Sequence, residues 1–400
     1  MRILTVTSLY PTPLQPGKAP FNHQQLLCLS RKHAVSIITP VAWTEELAQR
    51  WQSGRCLPKE RRSTEGTIAI EYPRYLFPPK VLRGWYGHFY RRSVRRAFLR
   101  AVTEFQPDLV YAPWAYPDGW ATVSLAREVG LPVVVKVHGS DIHTLPGYPA
   151  RRQGTVEAVC WADGVVAVSQ DLANHVVALG AARERVRVVY DGVDQNRFHP
   201  GDWKEARARL RLSQAERVIL FVGRLVPVKG IEVLLRACAY LAQVGMRFNC
   251  CIVGDGPLRS WLEQEVLRLR IQSHVHFLGP MPHDRLPDWY RAANVVALPS
   301  RSEGVPNVLL EAAACGTPFV ASRVGGVPEI EHLGPNRLVP AGEVESFALA
   351  MARYLVGPPL REWEAKPAVR SMVDSAEELA ELFTRTIESR RSGIEVNSQG

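Results

Sequence analysis

The feature that most constrains this chain is a rhythm. Short runs of β-branched and apolar residues recur between stretches of helical periodicity, and they do so in two successive series. The first comprises Ile3–Thr7, Val35–Thr39, Leu109–Tyr111, Val133–Val137, Val165–Val168 and Val186–Val189. The second comprises Val218–Val222, Phe248–Val253, Val275–Leu278, Val295–Leu298 and Phe319–Ala321. Strands alternating with helices imply parallel sheets with crossover helices, so the two series predict two Rossmann-like α/β domains. At 400 residues the chain is long enough for both cores. Between the series, Tyr190-Asp-Gly-Val-Asp-Gln-Asn-Arg-Phe-His-Pro200 is rich in turn formers and free of periodicity, as a domain connection should be. The expected limits are 1–194, 195–370 and a closing segment 371–400. In that last segment Ser375–Arg390 opens on a capping box, Ser375-x-x-Glu378, and gathers Leu379, Leu382, Phe383 and Ile387 on one face. Such a helix must dock, and a flexible tail is expected beyond it.

Composition narrows the compartment and the partners. No stretch approaches the roughly 20 apolar residues that span a bilayer, and the apolar core of Met1–Ser8 is too short for a signal peptide and reads as a first strand. A cytoplasmic protein is expected. The seven cysteines form no CxxC pair, so neither a disulfide framework nor a zinc site is indicated, and the thiols should be buried or inert. A net charge of +10 invites anionic partners. No helix-turn-helix, RNA-recognition or zinc-finger pattern accompanies it, which argues against nucleic acid.

In open α/β sheets ligands bind beyond the carboxyl ends of the strands, so chemistry-bearing motifs should follow strands directly. After Val218–Val222 comes Gly223-Arg224-Leu-Val-Pro-Val-Lys229-Gly230, leading into a helix near Ile231. Backbone N–H groups, the helix dipole and the Arg224 and Lys229 cations together suit a diphosphate. The order GxxxxGK[ST] of a Walker loop is absent. After Val295–Leu298 comes Pro299-Ser-Arg-Ser-Glu303-Gly-Val-Pro-Asn-Val-Leu-Leu-Glu311, with Glu303 in the loop and Glu311 in the helix that follows. Ionised carboxylates accept from sugar and ribose hydroxyls, while the N–H groups of Gly304, Val305, Asn307 and Val308 serve phosphate or sugar oxygens.

Glu303-x7-Glu311, flanked by Leu298-Pro-Ser300 and Ala312-Ala-Ala-Cys-Gly-Thr-Pro318, resembles the signature of family 4 retaining glycosyltransferases with the GT-B fold. The resemblance extends over nearly the whole chain through Val137-His-Gly-Ser-Asp141, Asp191-Gly-Val-Asp194, Gly223-Arg224…Lys229-Gly230, Val253-Gly-Asp-Gly-Pro257, Phe277-Leu-Gly279 and Val324-Gly-Gly-Val-Pro-Glu329, all in family order. It implies two Rossmann-like domains facing across a cleft and a last helix crossing back to the N-terminal domain. It implies Arg224 and Lys229 on the donor diphosphate, Glu311 on the ribose, Glu303 and the amides after it on the transferred sugar, and His138 near that sugar. Asp141 and Ser169 are expected to fix the His138 ring and line the cleft. Many relatives carry Gly-Gly after the first strand; here the loop Tyr10–Gln25 has a single glycine, Gly17, in a Gly-x-x-Phe…Gln pattern similar to polysaccharide-building, teichuronic-acid-type members.

The activity so implied moves a sugar from a UDP- or GDP-linked donor to a glycan or lipid-linked acceptor, with His138 and Glu303 at the reaction centre. No Asp-x-Asp is present, and the two cations with the helix amides can meet the charge of a leaving nucleotide diphosphate, so no cofactor and no metal is expected. Retention by front-face attack, with the donor phosphate taking the acceptor's proton, is favoured over a covalent intermediate. The rival readings are a nucleotide-sugar 2-epimerase and a catalytically silent GT-B binding subunit. Finally, Tyr72–Thr103 holds no acidic residue, and Lys80–Arg100 within it holds seven cations, of which Arg91, Arg92, Arg95 and Arg96 share a helical half-turn with Arg100, opposite Tyr90, Val94, Ala97 and Phe98. That basic helix is expected to meet an anionic membrane surface.

Overall fold

The computed structural model describes residues 1–143, 149–359 and 369–397, the last five of these by backbone alone. The chain divides into two compact units, Met1–Asp191 with Met372–Gly400, and Gly192–Ser371.

The first unit is built on an eight-stranded sheet in the order Val186–Val188, Gly164–Ala167, Val133–Val137, Leu109–Ala112, Arg2–Val6, Ala34–Ile38, Ile68–Glu71, Arg62–Glu65. All pairings are parallel except the last, an antiparallel hairpin between Arg62–Glu65 and Ile68–Glu71. That hairpin was not expected from sequence: its strands are four residues long, charged at Arg62, Glu65 and Glu71, and lie at the sheet edge, where no continuous apolar run is required. The central strands are buried on both faces, which is why they read as nearly continuous apolar runs, broken only by residues such as Thr5 and Lys136. Leu4, Val6, Val133, Val135 and Val137 pack on one side with Tyr90, Val94 and Phe98 of the helix Tyr86–Phe105. Ile3, Val35, Ile37, Tyr111 and Val134 pack on the other.

That second face is completed by the helix Met372–Asn397, which buries Leu379, Leu382, Phe383 and Ile387 against it. The Tyr111 and Phe383 rings lie 5.1 Å apart. Each fully buried side chain such as Leu379 or Phe383 contributes roughly 1.5–3 kcal/mol. The capping box is not formed. The helix begins three residues earlier, at Met372, and the Ser375 hydroxyl is claimed by tertiary partners, donating to the Tyr190 carbonyl (2.8 Å) and accepting from Gln25 Nε2 (3.2 Å). From residue 398 on, the expected tail lies outside the described residues.

The second unit carries a six-stranded, wholly parallel sheet in the order Val275–Gly279, Asn249–Val253, Val218–Val222, Val295–Leu298, Phe319–Ser322, Arg337–Val339. From Val218–Val222 the chain winds outward to one edge, then returns and winds to the other. The direction reverses between Val218–Val222 and Val295–Leu298. Such a switch point opens a crevice beyond the strand ends, because the loops that follow the two strands leave in opposite directions.

Two further expectations are refined. The helix Tyr86–Phe105 does bury Tyr90, Val94, Ala97 and Phe98, but its arginine face is partly neutralised by neighbouring elements: Arg91 and Arg95 pair with Glu128, and Arg100 pairs with Glu71. Only Arg92 and Arg96 of the expected membrane-facing four are left exposed without a carboxylate among the described residues. And although Cys238, Cys250, Cys251 and Cys315 are buried, Cys56 is exposed. No helix among the described residues is long and apolar enough to cross a membrane.

Candidate functional site

In the second unit the loops at the switch point bring three of the expected residues into defined positions. Lys229 closes a short helical turn, Pro227–Lys229, directly before the helix Ile231–Gln243. Glu303 lies in the loop after Val295–Leu298. Lys229 Nζ donates to Glu303 Oε1 at 2.6 Å, and both side chains retain some exposure. Arg224, in the same loop as Lys229, is exposed.

Backbone contacts hold these loops together. Arg301 N–H donates to the Val228 carbonyl (2.8 Å), joining the Lys229 loop to the Glu303 loop. Gly230, at φ 60, comes so close to the Pro299 carbonyl that a Cβ would sit 2.1 Å from its oxygen; Gly325, at φ 51, stands in the same relation to the Glu303 carbonyl at 1.9 Å. Both positions demand glycine twice over, for the left-handed backbone and for the close approach.

The helix Asn307–Ala314 starts from this loop, with Pro306 as its N-cap residue rather than inside its first turn. The amides of Asn307 and Val308 have no intrahelical partner at that position and carry the positive end of the helix dipole. Gly304 and Val305, just before them, are buried. Two buried polar atoms here, Ser300 Oγ and Asn307 Oδ1, have no hydrogen-bond partner. Buried polar atoms are nearly always satisfied, so a pair left unsatisfied at one helix start fits a site that receives a polar ligand.

Glu311, one turn further, is held by residues that sequence reasoning missed. Its carboxylate accepts from His283 Nε2 (2.7 Å) and from the hydroxyl of the buried Tyr290 (2.7 Å). His283 Nδ1 lies 3.2 Å from Arg197 Nη1. A guanidinium only donates, so Nδ1 accepts and Nε2 carries the proton that goes to Glu311. The only sequence signal for His283 is its place in the loop after the strand Val275–Gly279.

In the first unit His138 follows the strand Val133–Val137. Its ring packs against Phe21 (5.0 Å between centroids) and Trp114 (6.1 Å), with Nδ1 3.9 Å from Asp191 Oδ2. Burial, reinforced by the nearby Lys136 charge, pushes the imidazole down to about 3, against opposing contributions from Asp191 and a hydrogen bond to the Pro113 carbonyl. The ring is therefore neutral at physiological pH. Nε2 is buried without a partner, so the proton sits on Nδ1 toward the carbonyl and Nε2 is an acceptor.

Asp141 does not orient that ring. Its carboxylate accepts the backbone N–H groups of His138 (3.0 Å), Gly139 (2.9 Å) and Ala115 (3.2 Å), fixing the loop instead, because three amides at a strand end satisfy it better than one imidazole. Burial holds it up at about 6 against those bonds. Ser169 is likewise withdrawn: fully buried, it caps the helix Gln170–Ala178 by accepting from Leu172 N–H (3.1 Å). Beneath His138 lies a network not anticipated from sequence. Lys136 Nζ donates to Asp191 Oδ1 (2.5 Å) and to Gln25 Oε1 (3.0 Å), all three side chains being buried. Burial alone would raise Asp191, but Lys136 and His138 outweigh it and hold the carboxyl below its usual range. Phe21 and Gln25, the pattern residues of the first loop, thus brace His138 and Lys136.

Gly17 stands in open space, with nothing within 4 Å of where a Cβ would be. Near that loop, at the carboxyl ends of Arg2–Val6 and Ala34–Ile38, a cavity of about 300 Å³ is lined by Ser8, Lys18, Glu45, Arg151 and the rings of Tyr75, Tyr86, Tyr90 and Tyr116. Aromatic faces with a few cations and hydroxyls suit a polyhydroxylated, anionic ligand. Among the described residues no three His, Cys, Asp or Glu side chains converge as metal ligands do.

Comparison with known proteins gives the family. Residues 202–366 match the model of the glycosyl transferases group 1, and residues 25–197 that of Glycosyltransferase Family 4. The chain is 35% identical, over 68% of its length and 71% of the relative's, to D-inositol 3-phosphate glycosyltransferase 1 of Catenulispora acidiphila. It is 29% identical, over 88% and 89%, to the putative teichuronic acid biosynthesis glycosyltransferase TuaC of Bacillus subtilis. Among solved structures it is similar to HepE of Anabaena in complex with UDP-glucose (TM-score 0.68, 20% identity, 99% and 100% covered). It is also similar to sucrose-phosphate synthase of Thermosynechococcus elongatus (TM-score 0.72, 20% identity, 100% of both chains). These last two share its fold of two Rossmann-like domains.

Proposed function

The chain belongs to the group 1 glycosyl transferases, and from that premise we propose that it is a retaining, metal-independent enzyme that moves a sugar in the cytosol from a nucleoside-diphosphate donor to an anionic glycan or lipid-linked acceptor. The observation that carries the donor half is the Lys229–Glu303 pair at the switch point, beside the start of the helix Asn307–Ala314. A diphosphate arriving there competes for Lys229 and frees Glu303 to accept from sugar hydroxyls. Arg224 and the amides of Gly304, Val305, Asn307 and Val308 add the positive charge that the leaving diphosphate needs. Glu311, oriented by His283 and Tyr290, accepts from the ribose hydroxyls. UDP is the first nucleotide to try, since the Anabaena structure holds UDP-glucose.

In the transfer, the bond from the anomeric carbon to the diphosphate oxygen breaks and that oxygen takes the electron pair. The acceptor oxygen bonds to the anomeric carbon on the same face, and its proton passes to the departing diphosphate. His138, neutral with Nε2 as acceptor, takes a hydrogen bond from a hydroxyl of the transferred sugar as positive charge grows on the ring. The tyrosine-lined cavity with Lys18 and Arg151 receives the acceptor. That reading accords with two relatives named for a phosphorylated polyol and an acidic polymer.

The test is a panel of UDP- and GDP-sugars scored by thermal stabilisation, followed by donor consumption with and without acceptors in excess EDTA. Lys229→Ala and Glu311→Ala should weaken donor binding at least tenfold, whereas His138→Ala should lower turnover with donor affinity retained. Unchanged donor affinity in the first two variants sinks the site. Consumption without any acceptor points to the epimerase, a tenfold loss in EDTA restored by Mg²⁺ or Mn²⁺ to a metal enzyme, and donor binding with no consumption to a silent subunit.

A further inference from the structure

The first unit exposes an apolar surface whose unpaired charges are mostly positive. The helix Trp43–Ser53 has no buried residue; Trp43, Leu47 and Trp51 stand one above another on it, and Trp51 is 91% exposed. The segment after the short strand Arg74–Tyr75 exposes Leu76, Val81, Leu82 and Trp85, each by more than half. Lys80 and Leu82 adopt left-handed backbone (φ 67 and 50), which side chains disfavour, and between them the turn presents Val81 and Leu82 to solvent. A groove of about 660 Å³, lined by Trp43, Leu76, Phe77, Pro78 and Phe89 with Arg74 and Arg92 at its sides, joins these segments to the helix Tyr86–Phe105.

Four of the neighbouring carboxylates are engaged, while Glu60 and Glu104 are exposed at the margins of the surface. Glu45 pairs with Lys18, Glu46 with Arg61 and Arg74, Glu71 with Arg62 and Arg100, and Glu128 with Arg91 and Arg95. Arg50, Lys80, Arg83, Arg92 and Arg96 remain exposed, with no carboxylate partner among the described residues. Tryptophans and aliphatic side chains set among uncompensated cations are what an interfacial membrane anchor needs: the rings and alkyl groups enter the headgroup layer while the cations meet anionic lipid.

The surface also adjoins the cavity proposed for the acceptor. The paired strands Val41–Ala42 and Arg74–Tyr75 separate the two: Trp43 and Arg74 line the groove, Ala42 and Tyr75 the cavity. The Tyr75, Phe77 and Tyr86 rings, with centroids 4.7 and 5.0 Å apart, run from one to the other. We infer that this surface docks the protein on an anionic bilayer, with Trp51, Leu82 and Trp85 inserted and Arg92 and Arg96 on the lipid headgroups. The acceptor cavity then lies next to the membrane. The docking stands on the surface alone; the second consequence rests on the transferase reading.

The test is sedimentation of the full chain with vesicles of phosphatidylglycerol and phosphatidylcholine, or of phosphatidylcholine alone, with UDP-glucose melting shifts measured in parallel. The protein should pellet with the mixed vesicles and at least tenfold less with the neutral ones. Trp51→Glu with Leu82→Glu, and separately Arg92→Glu with Arg96→Glu, should each cut partitioning at least tenfold. Arg247→Glu with Arg353→Glu, an equal charge change at exposed positions of the other unit, should change it less than twofold. All these residues are exposed, so the fold is retained in each variant. Absence of binding to the mixed vesicles, or equal binding by every variant, overturns the surface and leaves the donor-site reading intact if UDP-glucose still raises the melting temperature. Vesicle binding without any donor-induced shift sustains the surface and counts against the donor site instead.

Discussion

Beyond the carboxyl ends of the strands in the 192–371 unit, charged side chains keep a little exposure and hold one another across loops, Lys229 with Glu303 and Glu311 with His283. At the corresponding strand ends of the other unit, the charges are sealed under the surface: Lys136 and Asp191 are 1% and 5% exposed and Asp118 and Asp141 are buried on backbone and hydroxyl donors. Partners at a pair that water can reach are exchanged cheaply, because water and ligand atoms substitute for them. A sealed pair cannot be opened without stranding a charge. The first arrangement suits a cradle that lets go of itself to take a diphosphate. The second is a frame, and what it frames is one neutral imidazole.

The sharpest way to break this comparison is to remove one member of each pair. Asp191→Ala leaves the Lys136 ammonium buried without a counter-charge, its remaining partner being the neutral Gln25 Oε1, and should cost about 3–5 kcal/mol of stability, whereas Lys229→Ala should cost about 1 kcal/mol or less. Denaturant unfolding of the full chain reads both. Equal losses would show that the two sets of strand ends are built alike.

Much of the fold is legible in the sequence because a strand buried on both faces is largely apolar, as Val218–Val222 is throughout and Val133–Val137 is but for Lys136, and because helix-length segments separate them. The edge strands Arg62–Glu65 and Arg337–Val339 escape that rule, since an edge need not be apolar. Side-chain partnership is another matter. Lys229 and Glu303 are conspicuous because each follows a strand in one sheet. Nothing local in the sequence marks Lys136 as the partner of Gln25, 111 positions away, or His283 as the partner of Glu311. The arginine helix misleads for the same reason: the carboxylates that neutralise Arg91, Arg95 and Arg100 come from other elements.

A second, smaller effect sharpens the idea of a frame around His138. Its folded-state value near 3 lies below the ordinary 6.5, so as pH falls the unfolded chain takes the proton first. Stability from this site is therefore complete above pH 6.5 and is lost progressively toward pH 3, by roughly 2 kcal/mol at pH 5 at about 1.4 kcal/mol per unit. Asp141 works in the opposite sense. Raised from 3.8 to about 6, it stabilises the acid form, and its contribution declines as pH rises through that interval. His138→Asn keeps the backbone N–H that Asp141 accepts but removes the imidazole. Its melting temperature should fall with rising pH between 4 and 6, while the native chain shows the two trends opposed. Identical profiles for the two proteins would mean that His138 is not held neutral by burial.

The smallest expected effect on stability is at Gly17, and there its smallness is informative. In the 192–371 unit Gly230 and Gly325 are required by the fold, since a side chain at either would collide with a carbonyl at about 2 Å. Gly17 meets no such demand: a Cβ would have nothing within 4 Å, and its backbone is not in the left-handed region. Alanine there should leave the melting temperature unchanged, or raise it slightly by restricting the unfolded chain, an effect of about 0.4–1 kcal/mol. Any loss of function then reports on a ligand rather than on folding. If the acceptor approaches the backbone of this loop beside Lys18, Gly17→Ala should raise the acceptor KM severalfold and leave donor affinity untouched. An unchanged acceptor KM would remove Gly17 from the site and leave acceptor binding to Lys18, Arg151 and the tyrosines of the cavity.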